Sequence, residues 1–289
     1  MDRRQFISFG AALFTLVPAL AGCGAAPEQT VPEPGQLTVS FIDVGKGDCI
    51  LVECDGEAAL IDTGYENTTS DVLSYLRKHE VVQLRCVILT HYDRDHVGGL
   101  RAIAEALPIE EVCLPNYEGG DKNYAGVMNS VSSLSLNAKQ AARGTTYTLG
   151  AATLTVIPTT LTYEIEPGED EGNDNDLSLV VMLVHGDDSY LFAGDLEKEG
   201  TDAFLARGYG QFDVLKVPHH GAKNGRTDKL IKAVSPRIAV ITDSEDDPAD
   251  KKTLGYLKDA DVDTYRTSTD GTIVVKSHGL ADYTATTER

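Results

Sequence analysis

The sequence predicts an α/β protein, a four-layer αβ/βα sandwich of two mixed sheets with helices on the outer faces. Three observations carry that expectation. Residues 37–62 form three short β-rich runs separated by glycine turns, residues from 70 onward alternate strand with helix, and after residue 143 the same outline returns. Two halves that each begin as β and continue as β/α can bury one sheet face against the other and cover the remaining faces with helices.

The elements follow in chain order. "LTVSFIDV", "CILVEC" and "EAALID" read as strands, and the Asp55-Gly56 pair between the last two suits a tight hairpin, so the three form an antiparallel meander. "SDVLSYLRKHE" spaces its apolar residues as a helix does, with Ser70 in the capping position. "VILT" is the next strand, a helix follows "HVGGL", and "IEEVCLP" is a further strand. Residues 116–143 are polar and poorly patterned. The second half supplies "TYTLGAATLTVIP", "LSLVVMLVHGDDSYLFAGD", "DVLKVPHH", "RIAVIT" and "GTIVVKSHG" as β segments. "EPGEDEGNDND", residues 166–176, has no apolar position and reads as a solvated loop just ahead of a strand.

The N-terminus does not belong to this pattern. "MDRRQFISFGAALFTLVPALAGC" has the charged start, apolar middle and small-residue end of an export signal. Arg3-Arg4 followed by Phe6-Ile7 resembles the twin-arginine motif, and "LAGC", residues 20–23, resembles a bacterial lipobox. The expectation is that residues 1–22 are removed, Cys23 is lipidated, residues 23–36 form a proline-containing tether, and residues 37–289 are a single domain held on the outer face of the cytoplasmic membrane. The alternative is an uncleaved anchor, but the apolar stretch from Phe6 to Gly22 is only 17 residues long and contains Pro18.

Removal of the signal leaves 267 of 289 residues, enough for one well-buried core. The formal charge of −20, from 25 basic and 45 acidic residues, disfavours non-specific attraction to DNA or an anionic membrane, so nucleic acid requires a local gathering of basic residues. Cys49 and Cys54 share an extended run where an odd separation puts them on opposite faces about 16 Å apart. Cys86 and Cys113 lie in apolar segments and read as small buried hydrophobes.

Chemistry concentrates at three strand ends. "VILT" runs into His91, Asp93, Asp95 and His96, and Gly98 and Gly99 then let a helix begin close to the sheet. "YLFAGD" ends in Asp195, and "DVLKVP" ends in His219 and His220. Imidazole and carboxylate are ligands for first-row divalent ions. Four of seven histidines fall in these motifs, while His79, His185 and His278 stand alone on surface-like segments. A charged loop capping a helix accounts for Asp95 but leaves the paired histidines unexplained.

These residues carry a resemblance. "HYDRDH" resembles the HxHxDH signature of the metallo-β-lactamase fold, with Asp93 in place of the second His. "FIDVGKGDCILV", "LIDTG", "NDLSLVV", "AGDLEKEG", "VLKVPHHG" and "YRTSTDGTI" resemble, in order, the metallohydrolase domain of ComEC-type DNA-uptake proteins and their soluble relatives, over nearly all of residues 37–276. The resemblance implies a metal-dependent hydrolase with two divalent ions, Zn²⁺ or Mn²⁺. His91 and Asp93 would hold the first ion, Asp95 and His96 the second, and Asp195 would bridge them. His219 would supply the remaining ligand, with His220 the alternative or a substrate contact. Asp43, Asp48, Asp62 and Asn175 would support the ligands, because a metal-bound His needs its other N–H held by an acceptor. Asn175 and Asp176 stand where many relatives supply a further His.

Two close ions need anionic ligands, and Asp93 adds both a charge and a hard oxygen, favouring Mn²⁺ relative to an imidazole site. Such a centre suits hydrolysis of phosphoesters by a hydroxide shared between the ions and oriented by Asp95, with His220 and Lys223 as further catalytic candidates. Lys216, Arg226 and Arg266 join Lys223 as candidate phosphate contacts. The expected partner is a phosphoester of nucleic acid or of the cell envelope, such as a phosphorylcholine ester; a non-catalytic, lipid-anchored binding protein is the contrasting reading. After "VIT", ComEC-like domains usually carry a Tyr-Gly-His-Pro element, and this chain has "DSEDDPADKK" instead.

Overall fold

The computed structural model describes residues 35–161 and 174–288. The expected export signal, Cys23, the expected tether up to residue 34 and most of the acidic segment before Asp174 lie outside the described residues. No helix among the described residues is long and apolar enough to cross a membrane.

The first half opens with β1 (Leu37–Phe41), β2 (Ile50–Cys54) and β3 (Glu57–Ile61), the antiparallel meander that the Asp-Gly turn favours. Helix α1 (Thr69–Lys78) leads to β4 (Cys86–Ile88), then α2 (Arg94–Val97) and α3 (Leu100–Ala106) to β5 (Val112–Leu114). The poorly patterned stretch after Asn116 contains α4 (Lys122–Ser133), capped by the Asp121 side chain on the Tyr124 N–H, and β6 (Ala138–Gln140). Its weak apolar signal has a structural reason: among its residues only Val127 and Ser130 are buried. Ser70 lies inside α1 and is not its cap; Thr68 precedes that helix and makes no side-chain capping bond.

The second half begins with β7 (Thr146–Leu149), β8 (Ala152–Ile157), β9 (Val180–His185) and β10 (Asp188–Phe192), paired antiparallel. Next come α5 (Lys198–Leu205), β11 (Val214–Lys216), α6 (Thr227–Val234), β12 (Ile238–Ile241), α7 (Lys251–Asp259) and β13 (Asp263–Arg266), whose strands add in parallel to β10. The short α8 (Thr267–Asp270) and strands β14 (Thr272–Ser277) and β15 (Thr284–Glu288) end the chain.

The last two strands do not extend the second sheet. β14 pairs antiparallel with β1, from Leu37↔Ser277 to Phe41↔Ile273, giving the first sheet the order β15-β14-β1-β2-β3-β4-β5-β6 and the second β13-β12-β11-β10-β9-β8-β7. The chain therefore crosses back, and its C-terminal strands clasp the first half.

One apolar layer lies between the sheets, from Leu37, Phe41, Ile50 and Ile61 on one side to Leu154, Val181, Phe192 and Val240 on the other. Outer cores fill the space under α1 and α3, with Leu60, Val72, Leu76 and Ile103, and under the helices of the second half, with Leu191, Phe204, Leu215 and Leu230. Cys49 and Cys54 fall in different layers, as their odd separation requires, and all four described cysteines are buried and free. His185 is buried against Ser277, not on the surface.

In each sheet the parallel strands run out at the same edge, so β3, β4, β10, β11 and β12 deliver the residues after their C-terminal ends to one place, as open α/β sheets commonly do. Phe192 ties the layers together where its ring faces Phe41 at 6.0 Å. Phe192→Ala is expected to cost about 3–5 kcal/mol of unfolding free energy in urea titration, through lost burial and the cavity left behind.

Candidate metal centre

Close backbone packing brings the "HYDRDH" motif to this edge. Asp93 adopts extended geometry ahead of α2, so Asp95 and His96 fall in the first turn of that helix. Gly98 and Gly99 are required by contact: a Cβ would meet the Glu66 backbone nitrogen at 2.5 Å and the Thr63 carbonyl oxygen at 2.4 Å respectively. The helix is thereby pressed onto the loop after β3, where the Thr63 N–H donates to the His96 carbonyl at 2.7 Å. Asp62, in that loop, has φ +58° and is fully buried. A left-handed non-glycine residue costs about 1–3 kcal/mol and persists only where its surroundings fix it. Here Asp62 accepts the Thr90 N–H at 2.8 Å and the Thr90 hydroxyl at 2.7 Å, and its Oδ2 also holds His96 Nδ1 at 2.8 Å.

The donors converge. His91, His96 and Asp195 present ligand atoms all within 4.8 Å of one another, and so do Asp95, His96 and His220. Asp195 Oδ2 lies 3.0 Å from His220 Nε2 and 3.4 Å from His96 Nε2, and Asp95 Oδ2 lies 3.3 Å from His220 Nε2. Asp93 stands at the rim, its Oδ2 3.7 Å from His91 Nε2.

The two histidines of "PHHG" diverge. Both have positive φ, 48° at His219 and 50° at His220, so the backbone turns sharply and sends the adjacent rings in different directions. His220 is buried in the cluster with Nδ1 on the Thr242 hydroxyl at 3.0 Å. His219 is partly exposed and pairs through Nδ1 with Glu197 at 3.1 Å. The structure thus brings His220 into the cluster of donors and leaves His219, the ring the sequence preferred, outside it.

Several other expectations also change. Lys216 is completely buried, with Nζ 2.5 Å from Asp48 Oδ2, 3.2 Å from Asp195 Oδ1 and 3.0 Å from the Gly194 carbonyl, so it cannot contact a substrate phosphate. Arg226 is taken by Asp202 at 2.6 Å and Arg266 by Asp243 at 2.9 Å. Lys223 is solvent-exposed beyond the "PHHG" turn. Asp43 is exposed and accepts the Gly45 N–H in its own turn, which removes it from the support of the donors. Asn175 reaches Glu197 at 3.4 Å, on the His219 side of the edge, and supports no imidazole of the cluster. Asp176 caps the start of α5, accepting from the Glu197, Glu199 and Gly200 N–H groups. Thr90 and Thr242 were not singled out from the sequence; a hydroxyl residue within two positions of a strand end was the available signal.

Electrostatics mark the cluster as a place for positive charge. Burial opposes ionisation of Asp195, but His220, His96 and Lys216 outweigh it and hold the carboxyl well below its usual range. Burial likewise favours neutral imidazoles, yet Asp195 with Asp95 raises His220 to about 9, and Asp195 with Asp62 raises His96 well above its ordinary value. Protons on these rings stand where a cation would sit, and metal binding would release them. His91 Nε2 gives the most direct sign of fit, being buried with no partner at hydrogen-bonding distance among the described residues and only the Asp93 carboxylate near it, at 3.7 Å. A buried imidazole nitrogen so poorly satisfied is costly, and a metal ion would satisfy it.

A sandwich whose joined sheet edges carry this imidazole–carboxylate cluster has the architecture of a metal-dependent hydrolase. The chain belongs to the metallo-β-lactamase superfamily, whose profile matches residues 42–242. Among curated proteins it is 29% identical over 215 residues to Recombination protein 2 of Haemophilus influenzae, covering 73% of this chain and 24% of that protein. It is 25% identical over 257 residues to ComE operon protein 3 of Bacillus subtilis, covering 81% and 32%. The chain thus spans about a quarter to a third of the length of these relatives. The metallo-β-lactamase fold protein YhfI of Bacillus subtilis superposes with a TM-score of 0.53 at 15% identity, over 84% of this chain and 100% of that one, which is a likeness of fold.

His220→Ala is expected to lower bound metal per chain after dialysis, whereas His219→Ala keeps the parental content. Elemental analysis of the two purified variants checks this, and equal losses would remove the distinction between the rings.

Proposed function

We propose that the protein is a divalent-metal-dependent phosphoester hydrolase. His91, Asp93, Asp95, His96, Asp195 and His220 would hold two ions, Zn²⁺ or Mn²⁺. The observation that carries this reading is the pair of overlapping donor triplets that share His96 and meet at Asp195. When bound, the ions supply a Lewis acid for a phosphoryl oxygen and make water a nucleophile near neutral pH.

The chain's own residues complete the chemistry. Asp195 is fixed by Lys216 through Oδ1 and presents Oδ2 between His96 and His220. Asp95, with Oδ2 3.3 Å from His220 Nε2, would orient the attacking water. Lys223, exposed past the turn, is available to a substrate phosphate.

The substrate class rests on the relatives. The likeness to a recombination protein favours a phosphodiester of nucleic acid over a phosphorylcholine ester of the envelope. Beside the motif a groove of about 1220 Å³ mixes Arg94, Arg101 and Lys122 with Glu66 and Glu105, and Arg101 pairs with Glu105 at 3.0 Å. The Mn²⁺- or Zn²⁺-loaded protein is to be assayed on bis-p-nitrophenyl phosphate, short DNA and phosphorylcholine esters.

Asp195→Ala is expected to lower turnover about a thousandfold or more, because the residue between both triplets is lost. Parental turnover by that variant would leave the non-catalytic binding reading in place. Asp93→His is expected to stay within about tenfold of the parent, roughly 1.4 kcal/mol in barrier, and to move the metal optimum from Mn²⁺ towards Zn²⁺. The same proposal places the hydrolase on the outer face of the cytoplasmic membrane through a lipid on Cys23. Mass spectrometry of the membrane fraction is expected to show a lipidated Cys23 N-terminal peptide, and an intact Met1 terminus there would overturn the anchor.

A further inference from the structure

We propose that Thr242 is a positioning residue of the metal centre: it fixes which nitrogen of His220 can face an ion. Thr242 follows β12, immediately before the segment where this chain departs from the ComEC-like pattern, and it is buried. Its hydroxyl donates to Asp48 Oδ1 at 2.6 Å and lies 3.0 Å from His220 Nδ1. A hydroxyl has one proton. Since that proton is committed to a carboxylate, the oxygen can only accept from His220, so Nδ1 must carry a hydrogen and Nε2 is the nitrogen left to bind. His220 Nε2 is the atom that lies against Asp195 and Asp95.

Asp48 is able to impose this because it is itself pinned. It is buried, its Oδ2 holds Lys216 at 2.5 Å, its N–H donates to the Asp95 carbonyl at 3.1 Å, and its carbonyl accepts from Gly64 at 2.8 Å. The other half of the site repeats the device. Thr90 donates its hydroxyl proton to Asp62 at 2.7 Å and takes His91 Nδ1 at 3.0 Å. Two Asp–Thr–His chains, one after β4 and one after β12, thus aim imidazoles at one cluster from opposite sheets. The chain through Thr242 spans the halves, because Asp48 belongs to the loop between β1 and β2 while Thr242 and His220 lie in the segments that follow β12 and β11 of the second sheet.

This inference rests on the metal centre of the proposed function, and its test reads metal binding, not turnover. Thr242→Val keeps the shape and removes the hydroxyl; Thr242→Ser keeps the hydroxyl. Mn²⁺ and Zn²⁺ are titrated into each metal-free protein against a chromophoric chelator, with thermal melting of the metal-free forms alongside. The valine variant is expected to bind one of two ions about 10–100-fold more weakly, the usual loss when a partner of a metal-binding histidine is removed, and the serine variant to bind as the parent does.

A role in packing alone would lower the melting temperature of the valine variant and leave its metal affinity parental, which would overturn the proposal; so would a serine variant weakened as much as the valine one. If Thr242→Val does not fold, ¹⁵N shifts of the His220 ring in the metal-loaded parent decide: a protonated Nδ1 supports the assignment, and an unprotonated Nδ1 sinks it. A parent that binds neither ion would overturn the metal centre and this inference together, whereas a metal-binding parent matched by its valine variant removes only the role of Thr242.

Discussion

The edge of this sandwich depends on neutralising buried carboxylates. Asp48, Asp62 and Asp195 are almost completely excluded from water and lie around the same imidazoles. Charges removed from water cost several kcal/mol each unless they are paired and hydrogen-bonded. Lys216 meets part of that cost with an ammonium fully enclosed between Asp48 and Asp195, and the imidazoles meet the rest by carrying protons that an ion can displace. An apolar side chain at position 216 would leave two carboxylates without their cation.

That electrostatic demand explains where the backbone is distorted. Positive φ at Asp62, His219, His220 and Gly194 occurs in the turns that follow β3, β10 and β11. In each turn the chain leaves a regular strand and within two or three residues must aim a side chain across the edge. At Gly194 a Cβ would meet Ser178 Cβ at 2.8 Å, while the carbonyl of this residue accepts both Lys216 Nζ and the His219 N–H. The strain is sustained by the sheets on either side, whose three apolar layers fix the strand ends before any donor is placed.

The departure after "VIT" also has a structural account. Asp243 is buried; its Oδ2 takes the Arg266 guanidinium and the Ala249 N–H, the latter at 2.8 Å. The substituted segment is consequently tied to the end of β13 instead of presenting an imidazole. Arg266, which the sequence offered as a phosphate contact, is consumed in that tie.

The sequence by itself determined the fold class, most of the strands and the three motifs that end them. Those features are local: apolar alternation, glycine turns and ligand-type residues directly after a strand can each be read within about ten residues. It also marked Asp48 and Asp62, because a supporting carboxylate beside a metal-type histidine is a chemical requirement. Helix α4 escaped because few of its residues are fully buried, and the return of β14 to β1 escaped because strand pairing across the whole chain leaves no local mark. The choice between His219 and His220 belonged to tertiary structure as well: neighbouring identical residues have identical local chemistry, and only the left-handed turn sends one ring to Glu197 and the other to Asp195. Lys216 reversed its expected role for the same physical reason. A lysine is read as a surface cation until the packed sheets show that Asp48 and Asp195 enclose it, since burial is a property of the assembled layers and not of the residue.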